Sequence, residues 1–265
     1  MKATVNGIAT YYEIHGKEGA PWLTFSHSLA CSVRMWDAQI AAFKDRYRIL
    51  VYDTRGHGQS AAPAGAYTLE LLAEDLFELL KKLQIARTHF VGLSMGGMIG
   101  QIFSLKYPGI FDRLVLADTA HTQTPETIAQ WQERIRTAET QGMQPLVDGT
   151  LGRWFTESFR KNKPETVRAI AALIAATPVA GYVGCCHAIS KLSTTARLKD
   201  IKGPVLAITG EQDAAAPGTR YIGEHVPGAK LVVIAQAAHI ANLEQPEAFN
   251  RALREFLSSP ASARA

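Results

Sequence analysis

The chain has 265 residues, 47% hydrophobic and 20% charged, with a net charge of +4. These are the proportions of a globular protein, not of a disordered or fibrous one. No apolar run approaches the ~18 residues of a membrane span and no block of basic residues stands out, so neither a membrane nor a nucleic acid is expected as a partner.

In chain order, Thr4-Val5-Asn6-Gly7-Ile8-Ala9 places Asn-Gly between strand-like runs and predicts a hairpin. Trp22–Phe25 and Arg48–Tyr52 read as the next strands. Leucines at 69, 72, 76, 79, 80 and 83 mark one face of a helix. Strand 88–91, a helix over 95–107 ending at Tyr107-Pro108-Gly109, and strand 114–117 follow. Beyond residue 120 the alternation stops. Helices are expected over 125–140, 143–154, 164–176 and 178–191. It resumes with compact apolar strands at 205–208 and 231–234, a helix between them, a helix from Pro246 to Leu257, and a frayed tail from Ser258 to Ala265. Strands alternating with helices predict a mostly parallel sheet covered on both faces. Residues 1–120 and 198–265 would form this α/β core, with 121–197 inserted between two strands as a helical cap over the ligand-binding edge.

The stretch FVGLSMGGMIG, residues 90–100, carries the strongest chemical signal. Gly92, Ser94 and Gly96 match G-x-S-x-G, in which small residues permit a strained strand-to-helix turn that exposes the serine hydroxyl. The helix that starts after Ser94 aims free N–H groups at the site. A nucleophilic serine in such a sheet is followed along the chain by an acid and then a histidine. His239, in the loop after the last strand, fits as the base. His57, in the turn-rich Asp53–Ser60, reads as structural, and His121 and His187 fall in the cap. Two aspartates end strands, Asp118 after 114–117 and Asp213 after 205–208; Asp213 is favoured because it adjoins the histidine-bearing unit. Oxyanion donors are expected at the Met95 N–H and in the loop Ser26–Cys31. There Leu29 is chosen, with Ser28 or Ala30 serving if the loop is shifted by one residue. Cys31 has no base beside it and is not a rival nucleophile.

The three cysteines (Cys31, Cys185 and Cys186) make neither a disulfide framework nor a metal-ligand spacing. MKATVNGIAT lacks a signal-peptide core, so a cytoplasmic protein is expected. The chemistry of the serine, histidine and aspartate requires no metal and no organic cofactor.

With these residues in place the chain resembles the α/β-hydrolase superfamily along nearly its whole length. More narrowly it is similar to the 3-oxoadipate enol-lactonases. The matching stretches are Arg34-Met35-Trp36, Tyr52–Gly58, Gly92–Met98, Arg153–Thr156, Gly181–Ile189 and Glu244–Phe249. The resemblance implies hydrolysis of a small-molecule ester or lactone, and the lactone of that family carries a free carboxylate. Arg34 and Arg153 are the candidate cations for it, and Trp131 and Trp154 are further candidate substrate contacts. One stretch departs from the family pattern: Asn-Ser-Leu-Gly-Thr-Asp is replaced by His27-Ser28-Leu29-Ala30-Cys31-Ser32. That departure keeps a carboxylesterase or another lactonase open beside the enol-lactonase; a cofactor-free haloperoxidase or perhydrolase on the same triad and a non-catalytic receptor of the same fold are further alternatives.

Overall fold

A computed structural model describes residues 1–259. The chain begins with strands β1 (Lys2–Val5) and β2 (Ile8–His15), joined at Asn6-Gly7, where both residues take positive φ (44° and 77°), as a tight hairpin turn requires. Next come β3 (Trp22–Ser26), α1 (Asp37–Phe43), β4 (Arg48–Tyr52), α2 (Leu69–Lys82), β5 (Thr88–Leu93), α3 (Met95–Lys106) and β6 (Phe111–Ala117). The segment before the next strand is helical: α4 (Pro125–Gln141), α5 (Val147–Trp154), α6 (Glu157–Asn162), α7 (Pro164–Ala176) and α8 (Val179–Ile189). The chain closes with β7 (Val205–Gly210), α9 (Ala216–His225), β8 (Lys230–Ile234), α10 (Ala241–Glu244) and α11 (Pro246–Ser258). Among these described residues no single helix is long and apolar enough to cross a membrane.

The eight strands form one sheet in the order β1-β2-β4-β3-β5-β6-β7-β8. β1 and β2 pair antiparallel, β2 pairs antiparallel with β4, and every other pairing is parallel. From β3 the chain steps one way to β4, then turns back across β3 to β5. Right-handed crossovers in opposite directions place α1 on one face and α2 and α3 on the other. α1 accordingly packs on α11, and α2 on α3. The reversal opens a crevice between the carboxyl ends of β3 and β5, where open sheets of this kind bind ligands.

The leucine stripe of α2 is buried as its spacing predicts, from Leu69 to Leu80. Three differences from expectation have local causes. The helix expected over 143–154 is split by a 3-10 turn at Gln144–Leu146, with a proline inside it. The six-residue α6 is too short to carry a readable period. β8 is not enclosed: it is the edge strand, and Leu231 and Val233 are exposed. Of the tail expected to fray, Ser258 closes α11, and residues 260–265 lie outside the described residues.

The helical segment leaves and rejoins the sheet at one place. Thr122 and Ser193 form an antiparallel bridge, and the Thr194 N–H donates to His121 O at 2.8 Å. It is also pinned at α8. Gly181 lies backbone to backbone on Gly56, so that a Cβ on Gly181 would sit 2.0 Å from Gly56 O. Ordinarily Gly→Ala inside a helix stabilises by roughly 1 kcal/mol. Here neither backbone can yield, so Gly181→Ala is expected to destabilise the protein by about 2 kcal/mol. Gly152→Ala, on α5 with nothing near its Cβ, is expected to be neutral or stabilising. The midpoints of urea unfolding for the two variants check the contrast.

Candidate active site

β5 ends at Leu93, and Ser94 turns the chain directly into α3 with φ 56° and ψ −114°. A side chain at this φ is strained, and the turn is compatible only with glycine at its flanks. A Cβ on Gly92 would lie 2.2 Å from Gly96 O, and one on Gly96 would lie 2.1 Å from Ser26 O. The turn is held by three hydrogen bonds. The Ser94 N–H donates to Ala117 O at 2.8 Å, and the Ser94 carbonyl accepts from the Met98 N–H at 3.0 Å and the Thr119 hydroxyl at 2.8 Å.

The loops after β7 and β8 meet above this turn. A Cβ on Gly210 would fall 2.1 Å from Ala238 O, so glycine is what lets them approach; the Gln212 N–H then bonds Ala237 O at 2.9 Å. Glu244 is buried and fully occupied: it accepts from the Ala238 N–H and from both the N–H and the hydroxyl of Thr156. It thereby ties the histidine loop to the start of α6. The outcome is a chain of contacts from Ser94 Oγ to His239 Nε2 (2.9 Å) and from His239 Nδ1 to Asp213 Oδ1 (2.9 Å). Because an ionised Asp213 only accepts, His239 Nδ1 carries the ring proton and Nε2 is free to accept from the serine hydroxyl. Burial raises the pKa of Asp213, but the charge and hydrogen bond of His239 and the Ala215 N–H outweigh it, and the carboxyl is held below its ordinary value. Asp118 stands behind Asp213; complete burial, and next the charge of Asp213, push its pKa well above the ordinary value.

The loop after β3 supplies the second wall. Of the three candidates there, Ser28 donates its N–H to Met35 Sδ (3.3 Å) and Ala30 donates to His57 Nε2 (2.9 Å). Among the described residues, the Leu29 and Met95 N–H groups have no protein acceptor. The departure from the family pattern faces inward. His27 is buried beneath the loop, with Nδ1 on Ser28 O (2.7 Å) and Nε2 accepting the Thr54 N–H (2.9 Å), and Ser32 caps the following turn. Ala30 takes φ 56°, a conformation for which glycine, the family residue, is the ordinary choice. His57, as expected, is structural, since it holds Ala30 in place. The loop that carries His57 is fixed in turn by a two-pronged ion pair of Arg55 with Asp75, both contacts 2.7 Å.

These groups open into a cavity of about 540 Å³, within the range of small-molecule sites. Trp131, Arg153 and Trp154 line it, as does Arg134, which the sequence did not single out. The Trp154 ring lies over His239 with centroids 6.3 Å apart. The Arg134 guanidinium sits 4.4 Å over the Trp131 ring, and Arg153 reaches only the Thr150 hydroxyl (3.2 Å). Neither arginine pairs with a carboxylate among the described residues. Partial burial and the charge of Arg134 lower the pKa of Arg153. Arg34 requires correction. The turn Val33–Trp36 carries it away from the cavity to Glu13 and Asp37, and its side chain is 47% exposed. Burial pushes the Cys31 thiol up to about 12, which keeps it un-ionised. The described residues contain no cluster of three His, Cys, Asp or Glu side chains able to hold a metal ion.

A strand-turn-helix serine, a histidine after the last strand and an aspartate after the one before it, on this sheet order, define the α/β-hydrolase class. The family model for the alpha/beta hydrolase fold matches residues 21–246, and the chain belongs to that family. It is similar to 3-oxoadipate enol-lactonase 2 of Acinetobacter baylyi, with 38% identity over 96% of this chain and 95% of the relative. The crystal structure of the enol-lactonase from Burkholderia xenovorans superimposes with a TM-score of 0.94, at 37% identity, covering 98% of this chain and all (100%) of that one. A thermophilic esterase from Thermogutta terrifontis is similar at 29% identity and a TM-score of 0.90, over 97% of each chain.

The two buried imidazoles under the loop after β3 make stability depend on pH. Burial lowers His27 from 6.5 to about 4 and His57 from 6.5 to about 3, so both are neutral in the folded protein. Below pH 6.5 the unfolded chain binds protons that the folded chain refuses. Their contribution is therefore complete above 6.5 and is lost as pH falls toward 4 and then 3. His27→Asn, which restores the family amide, is expected to remove about one proton from the dependence of unfolding free energy on pH between 6 and 4.5. Urea midpoints across that range measure it; an unchanged slope would mean that His27 is protonated in the fold.

Proposed function

We propose that this protein is a serine hydrolase that opens an anionic lactone of the 3-oxoadipate enol-lactone kind. The observation that carries the reading is the contact of the Ser94 hydroxyl with His239 Nε2 at 2.9 Å, facing a cavity that also presents two arginines without acidic partners among the described residues. The similarity to proteins named as enol-lactonases supports the same substrate class.

In this reading His239 takes the Ser94 proton as Oγ attacks the lactone carbonyl. The Leu29 and Met95 N–H groups receive the oxyanion. Asp213 fixes the imidazole tautomer and stabilises the imidazolium. Collapse breaks the ring C–O bond; the leaving oxygen takes the proton from His239 and stays tethered to the acyl-enzyme. Water, deprotonated by His239, then attacks the acyl carbon and releases Ser94 and the free acid, and the enol product tautomerises to the ketone. Residues 121–197 act as a cap over a core of 1–120 and 198–265. The cap supplies Trp131, Arg134, Arg153 and Trp154, and the two arginines hold the distal carboxylate, which would be costly to bury unpaired.

Arg153→Met and Arg134→Met test this. Each is expected to lower kcat/KM for the anionic enol-lactone by about 10- to 100-fold, the value of one charge-assisted contact. Hydrolysis of a neutral aryl ester should change by less than about twofold. Steady-state kinetics on both substrates decides the matter. Equal losses on both would mean structural damage, and a parent enzyme that prefers neutral esters over the lactone would be a carboxylesterase.

A further inference from the structure

Two aspartates meet behind the site, and the proposed triad uses only one. Asp118 ends β6 with φ 45°; its N–H donates to Ile208 O and its Oδ1 accepts the Gly210 N–H at 2.7 Å, so it is fixed across to β7. Asp213 Oδ1 accepts from both His239 Nδ1 and the Ala215 N–H (3.0 Å). The two remaining oxygens, Asp118 Oδ2 and Asp213 Oδ2, are shut off from solvent and have no hydrogen-bond partner among the described residues. Both residues are tied to Gly210, whose N–H donates to Asp118 Oδ1 and whose carbonyl accepts the Asp213 N–H at 3.3 Å, so the two carboxyl groups with their orphan oxygens are brought together at one turn. Two carboxylate oxygens cannot bond unless one carries a proton, and two ionised carboxylates in one dry site repel strongly. Asp213 Oδ1 faces the His239 imidazole and the Ala215 N–H, whereas Asp118 Oδ1 accepts only from the backbone N–H of Gly210 and forms no ion pair among the described residues. The proton therefore belongs to Asp118.

We propose that Asp118 is a neutral carboxylic acid at neutral pH and donates a hydrogen bond from Oδ2 to Asp213 Oδ2, acting as a positioning residue for the triad acid. The direction of both pKa displacements, Asp118 up and Asp213 down, agrees with this assignment. The bond holds the Asp213 carboxylate so that Oδ1 faces the imidazole. It also draws part of the negative charge away from His239. The imidazolium formed during the reaction is then less stabilised than it would be beside an unshared carboxylate. The kinetic consequence rests on the reading of Ser94, His239 and Asp213 as a triad; the shared proton does not.

The test has a spectroscopic arm and a kinetic arm. An infrared difference spectrum at pH 7 between the parent and Asp118→Asn is expected to show a protonated-carboxyl C=O stretch in the parent that the variant lacks. In the kinetic arm, the acid limb of kcat/KM against pH is followed for any ester that the enzyme turns over. Asp118→Asn keeps both the acceptor for Gly210 and a donor for Asp213, so its limb should stay where it is. Asp118→Ala removes the donor; its limb should move up by about one pH unit and kcat should fall about tenfold. If Asp118 were ionised instead, no protonated band would be lost, and Asp118→Asn would delete a negative charge and move the limb down. Either result overturns the proposal. Should Asp118→Ala fail to fold, the spectrum and the Asp118→Asn limb still decide. Absence of ester turnover in the parent would refute the triad reading and leave the spectroscopic arm standing.

Discussion

The strained turn at Ser94 is the constraint on which the rest of the site depends. A non-glycine residue at φ 56° costs roughly 1–3 kcal/mol and persists only where its surroundings over-determine it. Here the surroundings are β6, the start of α3 and the close approach of Gly96 to Ser26 of β3. Because the chain turns this sharply, the first free N–H groups of α3 lie beside the serine, and the hydroxyl stands at the crevice where β3 and β5 send their loops apart. A larger residue at Gly92 or Gly96 would separate these elements before any chemistry could be assembled.

Two further close approaches complete the arrangement, and both are made by glycine. Gly210 lets the aspartate loop touch the histidine loop, and the Gly56–Gly181 contact fixes α8 on the loop that braces the turn after β3. Buried polar groups do the rest. His27, His57, Arg55 with Asp75, and Glu244 have their hydrogen-bonding capacity taken up by backbone groups and near neighbours, so the loops they hold are determined by more than packing. Asp118 belongs to the same set, with the difference that its second oxygen is buried without a hydrogen-bond partner among the described residues.

Much of this was legible in the sequence, for physical reasons that differ from residue to residue. Ser94 was readable because glycines and strand and helix patterns around a single hydroxyl leave few alternatives, and the leucine stripe of α2 because its period is 3.6. The inward role of His27 was not readable: an imidazole can replace an amide as donor and acceptor only if the Thr54 N–H and Ser28 carbonyl lie at the right distances, which is a tertiary fact. Arg34 was misplaced because nearness in sequence to the oxyanion loop says nothing about direction, and a single 3-10 turn points it back to Glu13. Arg134 was overlooked on a helix that also carries Glu126, Glu133, Arg136 and Glu139 on its exposed positions, so charge alone does not mark it; the stacking on Trp131 and the lack of an acidic partner among the described residues do. β8 reads in the sequence as one more compact apolar strand, and its place at the edge of the sheet was not legible because edge and inner strands share that composition.

The central claim is that Ser94 is a nucleophile activated by His239. The most direct measurement is peptide mass spectrometry after reaction with a fluorophosphonate. The account predicts a single adduct on the peptide carrying Ser94, slowed by a competing ester and absent in a folded Ser94→Ala protein that has also lost turnover. An unlabelled Ser94, an adduct on another residue, or ester turnover that survives in folded Ser94→Ala would contradict it.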